Sequence, residues 1–155
     1  MATIVYTEAK HQMSIGNLNL LTDKFKVMLV TTGYVPDRNH TFVDDGTLLA
    51  PGKFEVGGTG YIGTFGGSGR KEILNKSVVV DNSTFKIRLF GDNVTWSPIN
   101  VGVVGGVVVI RESIISGAND STSLLIGYTN EGGLPAPTDG GELQIRWHIG
   151  GILIF

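Results

Sequence analysis

The chain has 155 residues, with 12 Lys and Arg against 14 Asp and Glu, and so a formal net charge of −2. This balance excludes the basic face of a typical nucleic-acid-binding protein, and the absence of cysteine excludes disulfides, thiol catalysis and cysteine-ligated metals. The 23 glycines, together with frequent Val, Ile and Thr, favour a single all-β domain over residues 1–155.

The N-terminal part of the chain predicts a short arm, one helix and a first strand. Residues 2–6 are apolar and extended, and Thr7 is expected to cap a helix over residues 8–15. The pair Gly16-Asn17 ends that helix. Residues 25–30 then form the first long β-type run, which we interpret as a strand.

The middle of the chain predicts a bent strand and a hairpin. Residues 54–65 alternate aromatic and glycine residues, a pattern we interpret as a strand that bends past its neighbours. Residues 77–80 and 85–90 flank a turn at 81–83 and predict a hairpin. The hairpin residues expected to face the interior are Phe85, Ile87 and Leu89.

Residues 103–110 contain only Val, Gly and Ile, and we expect them to form the central strand of the fold. An unbroken apolar run predicts a strand that is buried on both faces. It is much shorter than the about 20 residues of a membrane span. The pair Gly105-Gly106 predicts a bulge or the close approach of another backbone or a large ring, for which Trp96 is a candidate.

The C-terminal part predicts further strands. Residues 124–129 form one, and residues 143–149 alternate apolar and polar side chains in the cleanest period-two pattern of the chain. Together with the earlier segments this makes about eight or nine strands separated by turns. The expected fold class is therefore all-β, an antiparallel β-sandwich or jelly-roll-like fold with one short N-terminal helix.

The polar residues predict neither a catalytic site nor a bound cofactor or metal. Residues 37–45 hold four aspartate or asparagine side chains, but the glycine and the distal glutamate of a calcium loop are missing, so we interpret them as Asx turns. The histidines His11, His40 and His148 lack zinc-site spacing. No nucleophile elbow or phosphate-binding loop is present in the sequence.

The two tryptophans raise an alternative hypothesis. Trp96 and Trp147 could form a stacking platform for a sugar, as in a carbohydrate-binding jelly-roll module. Aromatic residues at inward strand positions more often belong to the core. We therefore expect both tryptophans to be buried.

Ten short motifs follow one another in order along nearly the whole chain. They are YTEAK at 6–10, KVMLV at 26–30, YVPD at 34–37, FVDD at 42–45, GTGY at 58–61, VVD at 79–81, DNVTW at 92–96, GGVVV at 105–109, DSTSLL at 120–125 and LQIRW at 143–147. In this order they resemble a family of small structural proteins of tailed bacteriophages, most of which are described only as virion components. The resemblance implies a location in the virion and brings no catalytic residues with it.

The resemblance and the absence of a catalytic pattern favour a non-enzymatic capsid decoration, or cement, protein on the outside of the head shell. The alternatives are a head-fibre base, a neck or tail component, or the carbohydrate-binding module. The expected partners are the major capsid protein or another virion protein, with neither nucleic acid nor a membrane. Residues 1–12 have no secretory signal, so we expect assembly in the host cytoplasm.

Both ends of the chain are apolar, which is unusual because termini are commonly polar and frayed. We expect them to lie at sheet edges and to help form a homo-oligomer, with a trimer favoured by the three-fold positions of icosahedral shells. The residues predicted to bind a partner are Ile4, Val5, Tyr6, Ile152, Leu153, Ile154 and Phe155.

Overall fold

Twelve strands and one α-helix form the regular structure of residues 3–155, which are the residues that the computed structural model describes. Helix α1 spans Thr7–Ser14, and a 3-10 helix spans Pro51–Phe54. The strands are β1 (Thr3–Val5), β2 (Lys26–Val30), β3 (Lys71–Glu72), β4 (Ser77–Asp81), β5 (Lys86–Phe90), β6 (Val94–Trp96), β7 (Val103–Val104), β8 (Gly106–Arg111), β9 (Leu124–Thr129), β10 (Ala136–Pro137), β11 (Leu143–Ile145) and β12 (Leu153–Ile154).

The chain is mainly β with one short N-terminal helix, as the sequence predicted. The strands form an antiparallel five-stranded sheet in the order β1-β9-β8-β2-β3, a three-stranded sheet in the order β12-β5-β4, and the pairs β10-β7 and β11-β6. Residues 1 and 2, where the predicted arm begins, lie outside the described residues. Helix α1 has eight residues, and within residues 3–155 no helix combines the length and hydropathy needed to cross a membrane.

Strand β8 lies at the centre of the five-stranded sheet and confirms the predicted central strand. Val108 and Val109 point to opposite faces, and each has at most 1% of its surface exposed. One face shares a core with β5, β6, β11 and β12, and the other packs under residues that include Tyr6 and Tyr34. Burial on both faces explains why residues 106–110 carry no polar side chain, and the only charged residue of β8 is Arg111 at its partly exposed end.

The predicted run over residues 103–110 is divided at Gly105, and Val103 is 46% exposed. A Cβ atom at Gly105 would overlap the backbone of Thr32, and one at Gly106 would overlap the ring of Tyr128. The expected close approach of a backbone and a large ring is therefore confirmed. The ring is that of Tyr128, and the prediction of Trp96 was wrong.

The predicted hairpin is confirmed by the pairing of β4 with β5, from Ser77↔Phe90 to Asp81↔Lys86. The residues between the two strands are 82–85, one position later than predicted, and they include Phe85, which has a φ of 57° and is 92% exposed. The inward orientation predicted for Phe85 was therefore wrong, because the strand begins only after the left-handed residue. Leu89 faces the core as predicted.

Three other local predictions need correction. Thr7 is the first residue of α1 and provides no side-chain cap. Residues 54–65 form no regular strand, because glycines with left-handed backbone angles, such as Gly60 with a φ of 78°, interrupt the extended conformation. The alternating strand at residues 143–149 ends at Ile145, and Ile149 is 92% exposed.

Candidate functional site

The two ends of the chain lie side by side. Strand β1 is at the edge of the five-stranded sheet, β12 is at the edge of the three-stranded sheet, and the two strands are in contact. The side chain of Leu153 in β12 covers Gly127 in β9, where any larger residue would overlap it. The sheets therefore meet where the termini meet.

Most residues of the two ends are buried inside the chain itself. Val5, Tyr6, Ile152 and Leu153 have at most 7% of their surface exposed. Ile4 and Phe155 are partly buried and pack against the core clusters. Of the seven residues predicted to bind a partner, only Ile154 is classed as exposed, at 39%. Ile154 is thus the main apolar contact that the chain ends offer to the outside.

An open cleft of about 710 Å³ lies beside these ends. Thr3 and Ile154 line it from the two terminal strands, and the partly exposed Leu134 and Trp147 contribute apolar surface. Its remaining wall is formed by the segments around residues 129–136 and 143–148. The cleft offers apolar surface together with charged and amide groups, a mixture that suits a peptide segment or a small polar ligand.

The two tryptophans occupy different environments. Trp96 is fully buried, and its indole N–H donates to the carbonyl of Gly69 at 2.7 Å. Trp147 is only partly buried, lines the cleft, and donates from its indole N–H to the carbonyl of Asp92 at 2.8 Å. The expected burial is confirmed for Trp96 alone, and the two rings do not form a shared platform in the cleft.

A separate polar network surrounds Arg70, whose side chain has no exposed surface. Its guanidinium donates to both carboxylate oxygens of Glu55 at 2.8 and 2.6 Å, and to both oxygens of Asp120 at 2.7 and 3.0 Å. Glu112 lies 3.4 Å from the same guanidinium and also accepts from Lys26 at 2.5 Å. Two cations thus face three carboxylates.

This network anchors irregular segments to the central sheet. Burial lowers the pKa of the Arg70 guanidinium, but hydrogen bonds and charges from Glu55 and Asp120 raise it by more, so the pKa lies above its ordinary value. The group therefore remains a fixed cation. Tyr61 donates to Glu55 at 2.9 Å and accepts from the amide of Leu29 in β2 at 3.1 Å. The arrangement holds the loops in place against the central sheet.

No local sequence pattern predicts the Arg70 network. Its partners lie 15, 42 and 50 residues from Arg70 along the chain, so no short motif connects them. The available signals were weak: Glu112 stands at the end of the buried run, and Arg70 follows the glycine-rich residues 66–69. Only the folded chain brings these groups together.

Tyr6, Tyr34 and His40 form a second polar cluster, in which the side chains are connected by hydrogen bonds. The two hydroxyls are 2.7 Å apart, and the Tyr34 hydroxyl lies 3.3 Å from Nδ1 of His40. Burial raises the pKa of the Tyr34 hydroxyl to about 12, although the hydrogen bond from Tyr6 lowers it. A pocket of about 470 Å³, with Leu49 and Phe54 in its lining, opens beside His40.

The aspartates of residues 37–45 form local turns, as predicted. Asp37 accepts from the amide of Asn39 at 2.9 Å, and Asp45 accepts from Thr47. Asp44 forms an ion pair with Lys53 at 3.0 Å. Within residues 3–155 no group of three or more His, Asp or Glu side chains is arranged to hold a metal ion.

No protein-family model matches this chain, and no curated protein or solved structure matches it either.

Proposed function

We propose that this chain is a non-enzymatic structural protein of a tailed-phage particle, and that it decorates the outside of the capsid shell. The motif order of the sequence motivates this setting. The observation that carries the proposal is the placement of both chain ends as adjacent edge strands beside an open cleft. Edge strands have unpaired backbone groups that invite a neighbouring chain.

The distribution of exposed apolar side chains supports a role in assembly. Isolated exposed apolar residues are ordinary, but several on loop tips and edges provide contacts for neighbours. The large apolar side chains that are between 61% and 93% exposed are Val35, Leu48, Leu49, Ile62, Val80, Phe85, Ile114, Ile115 and Ile149. A shell-binding protein must meet several surfaces at once, namely the shell below and copies of itself beside it.

The chain ends are the surface that we assign to self-association, with a homotrimer as the favoured state. A trimer matches the three-fold positions of an icosahedral shell and uses one surface patch three times. Ile154 is the residue of this patch that the fold leaves most exposed. A protein at a head-fibre base, in the neck or in the tail would bind its neighbours through the same kind of apolar contact, and these locations differ in the number of copies per particle.

Copy number and binding to empty heads test the proposal. Heads that lack this protein should bind hundreds of copies of it per particle when it is added, as measured by quantitative gel densitometry. About a dozen copies would indicate the neck instead, and no binding to heads or tails would contradict a virion role. The variant Ile154→Lys should reduce self-association in light scattering, whereas Ile62→Lys, outside the cleft and 65% exposed, serves as the control.

A carbohydrate-binding function is the second candidate, and the position of Trp147 favours it. The ring lies in the cleft with Gln144, Arg146 and Glu131, which are groups that commonly bind sugar hydroxyls. Titration with host-surface polysaccharide should then change the fluorescence of the native protein but not that of Trp147→Ala. An unchanged signal in the native protein would exclude this function for the polysaccharide tested.

For the architecture we propose a β-sandwich with a jelly-roll-like path. The support is that β5, β6, β11 and β12 contribute to the same core as one face of the five-stranded sheet. An experimental structure of the protein tests this point. In a sandwich, the three-stranded sheet and the two strand pairs would form one continuous layer that faces the five-stranded sheet. If they formed separate units that do not share a layer, the proposed architecture would be contradicted.

A further inference from the structure

Strand β4 has an open edge. It pairs with β5 on one side, and within residues 3–155 no strand or isolated bridge pairs with its other side. Its centre is Val78, Val79 and Val80, of which Val79 is 48% and Val80 is 64% exposed. Edge strands are commonly protected by a central charge, a proline or a bulge, and the described pairing of β4 contains none of these.

We propose that β4 pairs antiparallel with β4 of a second copy of this chain, about a two-fold axis through Val79. The two three-stranded sheets would then form one continuous six-stranded sheet. This surface is separate from the chain ends, because β12 and β4 lie at opposite edges of the same sheet. The inference therefore does not depend on the proposed capsid function.

The residue pattern of β4 is complementary to itself in this register. A two-fold axis perpendicular to the sheet keeps side chains on their own face, so residues of equal parity lie opposite each other. With the axis at Val79, Val78 faces Val80 and each Val79 faces its own copy. The Ser77 hydroxyl lies opposite the Asp81 carboxylate, and no like charges are opposed.

Neighbouring registers are worse. An axis at Val78 would place Lys76 opposite Val80, and an axis at Val80 would place Asp81 opposite Val79. Each alternative puts a charged side chain against a valine, which costs desolvation without a partner. The Val79 register alone matches all three valines with valines.

Charge substitutions at the axis test the proposal directly, because one mutation places two like charges face to face. Val79→Glu should halve the mass measured by light scattering at tens of micromolar, and so should Val79→Lys. An equimolar mixture of the two variants should restore the native mass. Val79 lies opposite Arg88 within the chain, so the glutamate is accommodated in the fold, as an unchanged circular dichroism spectrum should confirm.

Val103→Glu is the matched control, since Val103 is 46% exposed in another strand; it should keep the native mass. The cysteine-free sequence permits a second measurement: Val79→Cys should form an interchain disulfide under mild oxidation, and Val103→Cys should not. The proposal is overturned if native protein and Val79→Glu have equal masses, if the mixture fails to restore the native mass, or if Val79→Cys does not cross-link.

Discussion

Arg70 and Glu55 form a two-point ion pair in the interior, with Nε to Oε1 at 2.8 Å and Nη2 to Oε2 at 2.6 Å. The two residues stand at either end of a glycine-rich segment of the chain. Their pairing closes that segment into a loop, and Asp120 ties the loop to the segment before β9. Glycine makes the segment flexible, so its native shape depends on these charged anchors.

Replacing Arg70 by alanine should therefore destabilise the fold strongly. The change leaves Glu55 and Asp120 without their cation, and removal of one partner from a buried ion pair costs about 3–5 kcal/mol. The measurement is the free energy of unfolding in urea. Arg146→Ala is the control, because Arg146 is exposed and its loss should change stability by at most about 0.5 kcal/mol. Equal stability of the two variants would contradict the anchoring role.

Alkaline pH should unfold the protein through its tyrosines. Burial is the largest cause of the raised pKa in all four: Tyr6, Tyr34, Tyr61 and Tyr128. A raised pKa in the folded state means that stability is complete below the ordinary value of about 10 and declines as the pH rises above it. For Tyr34 the decline extends to its folded pKa of about 12.

Absorbance of tyrosinate near 295 nm measures this effect. The native protein should show little ionisation at pH 10, where urea-unfolded chains are about half ionised. Ionisation should then appear together with the loss of circular dichroism signal. Titration of one or more tyrosines near pH 10 in a folded protein would show that the burial assigned to them is wrong.

An acidic residue in the central strand should prevent folding. Val109 is 1% exposed between Val27 and Gly127, so Val109→Asp would bury a carboxylate without a partner, at a cost of several kcal/mol. Val103→Asp carries the same change at an exposed position and should remain soluble. If both variants were soluble and melted at the native temperature, the burial assigned to β8 would be contradicted.

Chelation should leave the melting temperature unchanged. The carboxylates of Asp37 and Asp45 accept hydrogen bonds within their own turns, and Asp44 is paired with Lys53. The glycine and the distal glutamate of a calcium loop are missing from the sequence, and no other side chain of this segment takes their place. Melting with and without EDTA checks the expectation, and a drop that calcium reverses would contradict it.

Local sequence patterns determined the elements that depend on neighbouring residues. The β-type run at residues 25–30, the apolar run around Val108 and the run at residues 124–129 all became strands of the central sheet. The helix over residues 7–14 and the β4-β5 hairpin followed in the same way. Each of these elements depends on the spacing of apolar residues and on turn residues that lie within a few positions of one another. A sequence pattern describes interactions over this short range.

Tertiary structure decided everything that depends on distant partners. Arg70 meets Asp120 from 50 residues away, and Gly106 makes room for Tyr128 instead of Trp96. The sequence predicted that the apolar termini lie at sheet edges, and β1 and β12 do lie there. Only their contact with the core determines that Leu153 is buried while Ile154 remains exposed. Burial is a property of the packed chain, because a side chain loses water only to groups that folding brings next to it.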